Sequence, residues 1–220
     1  MPIQVKICGI NSVESADAAV RAGADFVGLV FHARSPRALN AEQARALSGR
    51  LHGRVRIVAL LADADDAAIA AAMADAKPDY LQLHGRESVE RVGEIRGRMG
   101  AQVIKAIAVA EADDISAAAR YENVADMLMF DAKAPANATR EGGHGVAFDW
   151  QLLRGRSFSR PWFLAGGLNA ENVARAIAIS GAPGVDVSSG VETAPGVKSP
   201  ELIRSFIDNA RQAQFASVTP

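Results

Sequence analysis

The sequence predicts an α/β fold, a single closed (β/α)8 barrel. Short apolar runs alternate with longer alanine- and charge-rich segments from one end of the chain to the other. The runs are nearly continuous in Val, Ile, Leu and Phe, as strands covered on both faces by helices are. Eight strand–helix pairs in 220 residues average about 27 residues each, which is close to the lower limit for a closed barrel.

The apolar runs are the predicted strands, and they lie at Ile3–Cys8, Phe26–Phe31, Val55–Leu61, Tyr80–His84, Val103–Val109, Met127–Asp131, Trp162–Ala165 and Val185–Ser188. Helical patterns follow them at Val13–Ala22, Ala41–Leu51, Asp66–Ala76, Glu87–Met99, Asp113–Tyr121, Phe148–Leu153, Glu171–Ser180 and Pro200–Ala213. We therefore expect one barrel over residues 1–213 and a loose tail over residues 214–220.

The ends of the predicted helices carry the residues that helix termini favour. Ser12 precedes the first helix and Asn169 the seventh, where a polar side chain can accept hydrogen bonds from free backbone amides. Glycine, which readily adopts the left-handed conformation of a helix C-terminus, follows three of the helices at Gly23, Gly100 and Gly181.

An aspartate precedes the second, fourth and sixth predicted strands, at Asp25, Asp79 and Asp126. The recurrence indicates either a structural repeat of two strand–helix units or the chance recurrence of a common turn residue. Both interpretations stay open at the level of sequence.

Composition limits the partners and the compartment. The net charge is −1, from 24 basic and 25 acidic residues without a basic stripe, so we expect no nucleic-acid partner. Cys8 is the only cysteine and the four histidines are scattered, which excludes an intrachain disulfide and predicts no metal site. The N-terminal segment lacks signal-peptide character, and no apolar stretch reaches the ~18 residues of a membrane span. We expect a cytoplasmic protein without a membrane partner.

Chemistry in barrels of this class takes place at the carboxyl ends of the strands and in the loops that follow. Four pairs of residues lie two positions apart near those ends, so the members of each pair share one face of a strand. These pairs are Lys6 and Cys8, Gln82 and His84, Met129 and Asp131, and Asp186 and Ser188. If the faces point inward, several polar groups converge at one mouth.

Small residues follow the last two strands, Gly166-Gly167 after the seventh and Ser188-Ser189-Gly190 after the eighth. Loops at these two places bind phosphate in many barrels, because bare backbone amides and a helix N-terminus attract an anion. The alternative is that the glycines only allow the chain to turn. We favour a phosphate site.

Cys8 closes the first strand, where an inward side chain faces a ligand. A lone cysteine is otherwise a small buried hydrophobe. Because an unperturbed thiol titrates near pH ~8.5, a basic role requires a neighbouring cation, which Lys6 on the same face could supply. A lysine inside a barrel needs a partner, and both Asp131 and Asp186 are candidates.

Three further residues stand at strand ends. Asp131 closes the sixth strand, either as a cap for the next loop or as a general acid. Arg37 follows the second strand, and its fork suits a carboxylate unless it is only a solvated loop residue. His84 closes the fourth strand, where it binds a ligand or satisfies a backbone group. The long segment Ala132–Val146, containing Gly142-Gly143-His144-Gly145, predicts a mobile lid.

Taken together, these motifs resemble the phosphoribosylanthranilate isomerase family. They are Val5-Lys6-Ile7-Cys8-Gly9, Ser35-Pro36-Arg37, Gln82-Leu83-His84-Gly85, Phe130-Asp131, Gly142-Gly143-x-Gly145, Ala165-Gly166-Gly167-Leu168 and Asp186-Val187-Ser188-Ser189-Gly190-Val191-Glu192. The resemblance runs from residue 5 to about residue 210 in the family's order. His144 departs from it, because the family's glycine-rich loop has threonine there.

The resemblance implies an aldose–ketose isomerase of tryptophan biosynthesis that performs an Amadori rearrangement without cofactor or metal. By the family's pattern, Cys8 is the general base, Asp131 the general acid, and Arg37 the residue that holds the substrate's carboxylate. The resemblance places Asp186 near the sugar, and we expect Lys6 and His84 to bind the substrate as well. The implied phosphate-binding residues are Gly166, Gly167, Ser188, Ser189 and Gly190.

The expected partner is a small phosphorylated substrate, and the chain is expected to be a monomer or a homodimer. Two alternatives stay open. The sister sugar isomerase of histidine biosynthesis performs the same rearrangement but has aspartate at the position of Cys8. A noncatalytic barrel that binds phosphorylated ligands needs no acid–base pair, so the presence of both Cys8 and Asp131 disfavours it.

Overall fold

Eight parallel strands close into a barrel in the computed structural model, which describes residues 2–133 and 147–216. The strands are β1 Gln4–Cys8, β2 Phe26–Val30, β3 Arg56–Leu61, β4 Tyr80–Leu83, β5 Gln102–Val109, β6 Met127–Ala132, β7 Trp162–Leu164 and β8 Gly184–Val187. Each pairs with the next along the chain, and β8 pairs with β1. The predicted fold class is confirmed.

Helices pack on the outside of this barrel. In the described part they are α1 Val13–Ala22, α2 Ala41–Leu51, α3 Asp66–Ala76, α4 Val89–Met99, α5 Ala112–Ala117, α6 Val173–Ser180 and α7 Pro200–Ala216, with 3-10 turns at Ala118–Tyr121, Trp150–Leu153 and Ser189–Val191. The predicted fifth helix is thus α-helical only in its first part, and the predicted helix near residue 150 is a single 3-10 turn. Helix α7 runs past residue 213 to Ala216, and residues 217–220 lie outside the described part.

Predicted caps and stops are present at the helix ends. The Ser12 hydroxyl accepts a hydrogen bond from the Ser15 amide at 3.1 Å. The Asn169 side chain accepts from the amides of Glu171 and Asn172 at 2.9 and 3.0 Å, which orders a turn before α6 begins. Helices α1, α4 and α6 each end at a glycine in the left-handed conformation. None of the helices described by the structure is long and apolar enough to cross a bilayer.

The three aspartates that precede even-numbered strands have the same structural role. Each carboxylate accepts a hydrogen bond from the backbone amide of the second residue of the preceding odd-numbered strand. The pairs are Asp25 with Val5 at 2.7 Å, Asp79 with Ile57 at 2.7 Å, and Asp126 with Val103 at 2.9 Å. We call these contacts the aspartate clamps. They support the interpretation of a repeat of two strand–helix units, and they lie at the amino end of the barrel.

Apolar residues fill the barrel interior at its amino end. Phe26 packs edge-on against Tyr80 and Phe163, with ring centroids 5.5 and 5.1 Å apart. Because strand residues alternate between faces, the next inward positions on two of these strands are Gly28 and Gln82. The aromatic plug therefore closes the barrel below the polar positions, which face the carboxyl-end mouth.

A short hairpin follows β8 at that mouth. It is formed by β9, Glu192–Ala194, and β10, Val197–Lys198, which pair antiparallel. The hairpin leads into α7, and each of its strands has one charged residue at the mouth, Glu192 in β9 and Lys198 in β10.

Candidate active site

A buried ion pair lies inside the mouth of the barrel. The Lys6 ammonium donates to an Asp186 carboxylate oxygen at 2.7 Å, and Lys6 is 0% exposed. The two residues are Cα partners in the register of β1 and β8. Of the two candidate partners for Lys6, Asp186 is therefore the one that the fold provides. Burial disfavours the charge on Lys6, but Asp186 and Cys8 raise the pKa of Lys6 above its ordinary value.

Cys8 lies beside this pair at the end of β1 and is 5% exposed. Room for its sulfur comes from Gly28 on the neighbouring strand, because a Cβ atom there would lie 2.8 Å from the Cys8 Sγ and 3.1 Å from the Lys6 Nζ. Lys6 and Cys8 thus share the inward face of β1, as predicted. The sequence motifs do not predict Gly28, whose missing side chain leaves the space that the two residues occupy.

Opposing influences act on the Cys8 thiol. Burial raises its pKa above the ordinary value and outweighs the other effects. The positive charges of Lys6 and Lys198 lower the thiol's pKa, while Asp186 raises it. The expected cation beside the thiol is present, but burial outweighs it and favours the neutral thiol.

Across the mouth, Asp131 belongs to a chain of three side chains. His84 Nε2 lies 3.2 Å from Asp131 Oδ2, and His84 Nδ1 lies 2.8 Å from the Gln82 amide nitrogen. Asp131 also accepts from the amide of Ala132 at 2.8 Å. His84 thus contacts side chains of the site, and Asp131 combines the role of a local backbone acceptor with a position that faces the pocket.

The loops after β7 and β8 approach each other so closely that only glycine fits. A Cβ atom at Gly190 would lie 1.9 Å from the carbonyl oxygen of Leu168. Gly166 has φ +85°, and a Cβ atom there would lie 2.5 Å from the Ala132 amide nitrogen. Both glycines therefore serve close backbone approach, and Gly167 adds another left-handed residue at φ +64°.

Two adjoining cavities open at the mouth. One, of about 440 Å³, is lined by the residues of the predicted phosphate site, Gly166, Gly167, Ser188 and Ser189, and by Asp131 and Asp186. The other, of about 540 Å³, is lined by Cys8, Arg37, His84, Asp131, Asp186 and Ser188, among others. Since Asp131, Asp186 and Ser188 line both, the cavities form one elongated pocket with small residues at one end and Arg37 at the other.

Arg37 is 5% exposed and is not a solvated loop residue. Its Nε and Nη2 donate to the two carboxylate oxygens of Glu192 at 2.6 and 2.8 Å. Lys198 Nζ donates to the same carboxylate at 2.8 Å. We call Arg37, Glu192 and Lys198 the Arg37 cluster. The family motif that ends in Glu192 gives no sign of this ion pair, and no local pattern in the sequence distinguishes Lys198.

The structure thus brings five predicted residues around one pocket: Cys8, Arg37, His84, Asp131 and Asp186. Gly166, Gly167, Ser188 and Ser189 line its other end, and Gly190 lies in the same loop as the two serines. Lys6 lines neither cavity, because it is fully buried in its ion pair with Asp186. Residues 134–146, which hold most of the predicted lid and His144, lie outside the described part. A thiol, a carboxyl–imidazole pair and buried cations at the carboxyl mouth of a parallel barrel define a (β/α)8-barrel enzyme with acid–base groups at the expected end.

Comparisons with known proteins identify the particular family. The model of the N-(5'-phosphoribosyl)anthranilate (PRA) isomerase family matches residues 5–209. An N-(5'-phosphoribosyl)anthranilate isomerase from Rhodopseudomonas palustris strain BisA53 is 53% identical over 218 residues, covering 99% of this chain and 100% of the relative. The chain belongs to the PRA isomerase family, as the motifs predicted, and not to the sister family of histidine biosynthesis.

Solved structures agree with this assignment. The phosphoribosyl anthranilate isomerase from Thermotoga maritima has a TM-score of 0.85 at 37% identity, covering 96% of this chain and 99% of that chain. A structure of phosphoribosyl anthranilate isomerase in complex with reduced 1-(o-carboxyphenylamino)-1-deoxyribulose 5-phosphate has a TM-score of 0.82 at 36% identity, with the same coverage. This chain is accordingly an isomerase of tryptophan biosynthesis.

Proposed function

We propose that Cys8 and Asp131 are the base and the acid with which this chain converts N-(5-phosphoribosyl)anthranilate to 1-(o-carboxyphenylamino)-1-deoxyribulose 5-phosphate. The observation that carries the proposal is that both side chains line one cavity at the mouth of the barrel. They stand on β1 and β6, so they approach a ligand in that cavity from different sides. An acid and a base so placed can act on different atoms of one sugar.

Asp131 opens the sugar ring in this mechanism. In its acid form it donates a proton to the ribose ring oxygen, the bond from that oxygen to C1 breaks, and the anthranilate nitrogen supplies electrons to form an iminium ion. His84, 3.2 Å from Asp131, positions the carboxyl group in the pocket. No external electron sink is needed, because the substrate nitrogen serves as one, so we propose that the reaction requires neither cofactor nor metal.

Cys8 completes the rearrangement as a thiolate. It removes the C2 proton, which the adjacent iminium has acidified, and the resulting enolamine tautomerises to the ketone. Burial by itself disfavours the thiolate. The iminium brings a positive charge beside the sulfur, and a neighbouring cation favours the anionic form. The thiolate is therefore favoured at the step that uses it.

The two ends of the pocket divide the binding of the substrate. The amides of Gly166, Gly167, Ser189 and Gly190, with Ser188 beside them, bind the phosphate, since bare amides at a loop and helix N-terminus favour an anion. Arg37 binds the anthranilate carboxylate. His84 and Asp186 contact the sugar between these two groups, and Lys6, which is fully buried, acts on the sugar through its ion pair with Asp186. This assignment is supported by the positions of Arg37, His84, Asp186 and the small-residue loops along the pocket.

We further propose a cytoplasmic enzyme that acts as a monomer or a homodimer. One solved relative, with a TM-score of 0.82 and 36% identity, is described as monomers generated from a dimeric isomerase of Thermotoga maritima, so related barrels exist in both forms.

A direct assay tests the catalytic assignment. The purified chain, without added metal, is mixed with N-(5-phosphoribosyl)anthranilate, and the loss of anthranilate fluorescence is followed. We expect turnover by the wild type and a loss of orders of magnitude in Cys8→Ala. Arg45→Gln is the matched surface control, because it removes an exposed ion pair with Asp75. Full turnover in Cys8→Ala, with folding confirmed by circular dichroism, excludes Cys8 as the base.

A further inference from the structure

The Arg37 cluster has a geometry that substrate binding alone does not require. Glu192 stands between two cations, Arg37 and Lys198, and its side chain is only 3% exposed. It occupies one edge of the guanidinium through Nε and Nη2 at 2.6 and 2.8 Å. Among the residues that the structure describes, none accepts a hydrogen bond from Nη1. The guanidinium is therefore held by one edge while another part of it remains for a ligand.

Charge arithmetic explains why a second cation belongs to the cluster. Arg37 paired with Glu192 alone would have no net charge, and its attraction for a carboxylate would fall. Lys198, whose side chain is 0% exposed, adds one positive charge, so the three side chains together carry +1. Burial lowers the pKa of Lys198 below its ordinary value, although Glu192 acts in the opposite direction. Burial raises the pKa of Glu192, but Arg37 and Lys198 outweigh that effect and hold it below its ordinary value.

Lys198 also connects the two ends of the pocket. Besides Glu192, its ammonium donates to the Ser188 carbonyl oxygen at 2.9 Å and approaches the Ser188 hydroxyl at 3.3 Å. Ser188 lines both cavities. The buried ammonium of Lys198 therefore joins two parts of the pocket. It bonds to Glu192, which holds Arg37 at one end, and to Ser188, which lies beside the small-residue loops at the other.

We propose that Glu192 and Lys198 are positioning residues that set the distance between the carboxylate-binding and phosphate-binding ends of the pocket. The inference rests on the proposed role of Arg37 and deepens it. Glu192 aims the guanidinium, and Lys198 keeps the cluster cationic while tying it to Ser188. A long arginine side chain left free would lose rotamer entropy on binding. Prior ordering by Glu192 removes that loss and favours a substrate with anionic groups at both ends.

Two Glu192 variants distinguish a positioning role from a purely electrostatic effect of the Glu192 charge on the substrate. Glu192→Gln removes a negative charge, so a field alone would tighten binding of an anionic substrate. Glu192→Asp keeps the charge and shortens the reach, so a field alone would leave binding unchanged. Positioning predicts that both variants raise KM by about ten-fold or more, because the guanidinium is displaced from its aim, while kcat changes much less. An unchanged or lowered KM in Glu192→Gln, or an unchanged KM in Glu192→Asp, overturns the proposal.

Inhibition by inorganic phosphate locates each effect within the pocket. Glu192 contacts the phosphate site only through its backbone, whose amide donates to the Ser189 carbonyl oxygen. In the described part of the chain its carboxylate bonds to Arg37 and Lys198 alone, so side-chain variants of Glu192 should keep the wild-type inhibition constant for phosphate. Lys198→Met frees Ser188, so it should raise both the KM and the inhibition constant for phosphate. Phosphate inhibition that is unchanged in Lys198→Met contradicts the link through Ser188.

A double-mutant cycle with Arg37→Gln completes the test and separates the two proposals. If Glu192 acts through Arg37, Glu192→Gln should not raise KM further in the Arg37→Gln background. A further rise overturns the positioning role. If Arg37→Gln itself leaves KM unchanged, the proposed carboxylate contact fails. If Arg37→Gln raises KM and the Glu192 variants do not, only the positioning inference fails. Circular dichroism and chemical denaturation confirm that each variant is folded. Glu192→Asp keeps a negative charge beside Arg37 and Lys198, so it provides a folded variant if Glu192→Gln is destabilised.

Discussion

The two ends of the barrel use charged side chains in opposite ways. At the amino end, the aspartate clamps join each carboxylate to a backbone amide of the neighbouring strand, and two of them also pair with partly exposed arginines, Asp25 with Arg211 and Asp126 with Arg96. At the carboxyl end, buried charges are paired with other buried charges around a pocket. Carboxylates at the first end connect strands, whereas charges at the second are held in place for a ligand.

The energetics of the two arrangements differ as well. A hydrogen bond from a backbone amide to a carboxylate contributes about 1.5–3 kcal/mol to stability. For a buried ion pair such as Lys6 with Asp186, the desolvation of both charges offsets much of their attraction, so the pair is weak evidence for stability. The charged contacts at the amino end therefore stabilise the barrel. The buried ion pairs at the carboxyl end add little to stability, so their role is in the pocket.

Strand β6 allows the sharpest test of this difference, because it has one aspartate at its carboxyl end, Asp131, and another just before its amino end, Asp126. We expect Asp131→Asn to lower kcat by about 10²–10⁴-fold, the range of a lost general acid, with little change in the free energy of unfolding. Fluorescence-based turnover and urea denaturation measure the two effects on the same protein sample.

Asp126→Asn is the matched variant at the other end of the strand. It weakens the acceptor of the Val103 amide and of Arg96, so we expect a loss of about 1–3 kcal/mol in the free energy of unfolding with wild-type kcat for the folded fraction. If Asp131→Asn destabilises the barrel as much as Asp126→Asn does, or if Asp126→Asn lowers kcat, the division between the two ends is wrong.

Gly28 provides a second, smaller test at the carboxyl end. In Gly28→Ala the new methyl group would lie 2.8 Å from the Cys8 Sγ, so the sulfur must move. We expect turnover to fall by about ten-fold or more and the free energy of unfolding to fall by about 1–3 kcal/mol, as for other overpacked interiors.

Gly49→Ala is the control for that variant. Gly49 lies in helix α2, and a Cβ atom there meets nothing within 4 Å. Alanine at an open helix position should raise the free energy of unfolding by about 0.5–1 kcal/mol without changing turnover. Equal effects of the two substitutions would show that the space around the thiol is not special.

Local patterns in the sequence predict the parts of this molecule that depend on local rules. The apolar runs and their alternation place Lys6, Cys8 and Asp131 correctly at inward strand ends, because burial on both faces and a period of two act within each strand. The helix predicted near residue 150 is only a 3-10 turn. Gly155 follows the turn closely and Pro161 directly precedes β7, so little chain is left there for a longer helix.

Contacts created by closing the barrel are beyond local patterns. Lys6 had two candidate partners, and only the register of β1 with β8 selects Asp186. The partners of Arg37 depend on a hairpin whose strands have three and two residues, too few for any periodicity. No sequence pattern therefore predicts Lys198, and the motif that contains Glu192 does not predict its contact with Arg37.

The smallest expected effect is a pH dependence of stability that belongs to the carboxyl end alone. Burial raises the pKa of the Cys8 thiol in the folded chain, so the folded state keeps its proton at pH values where the unfolded chain has begun to lose it. The associated stability is complete below the unfolded pKa of ~8.5 and is lost as the pH rises towards the folded value. The slope is at most about 1.4 kcal/mol per pH unit.

Cys8→Ser removes the titrating group but keeps its size. In urea denaturation the wild type should therefore lose stability relative to this variant as the pH rises above about 8.5. Lys6 and Lys198 are present in both proteins, and parallel stability curves would mean that the thiol titrates alike in the folded and unfolded chains, against the burial that the structure assigns to it.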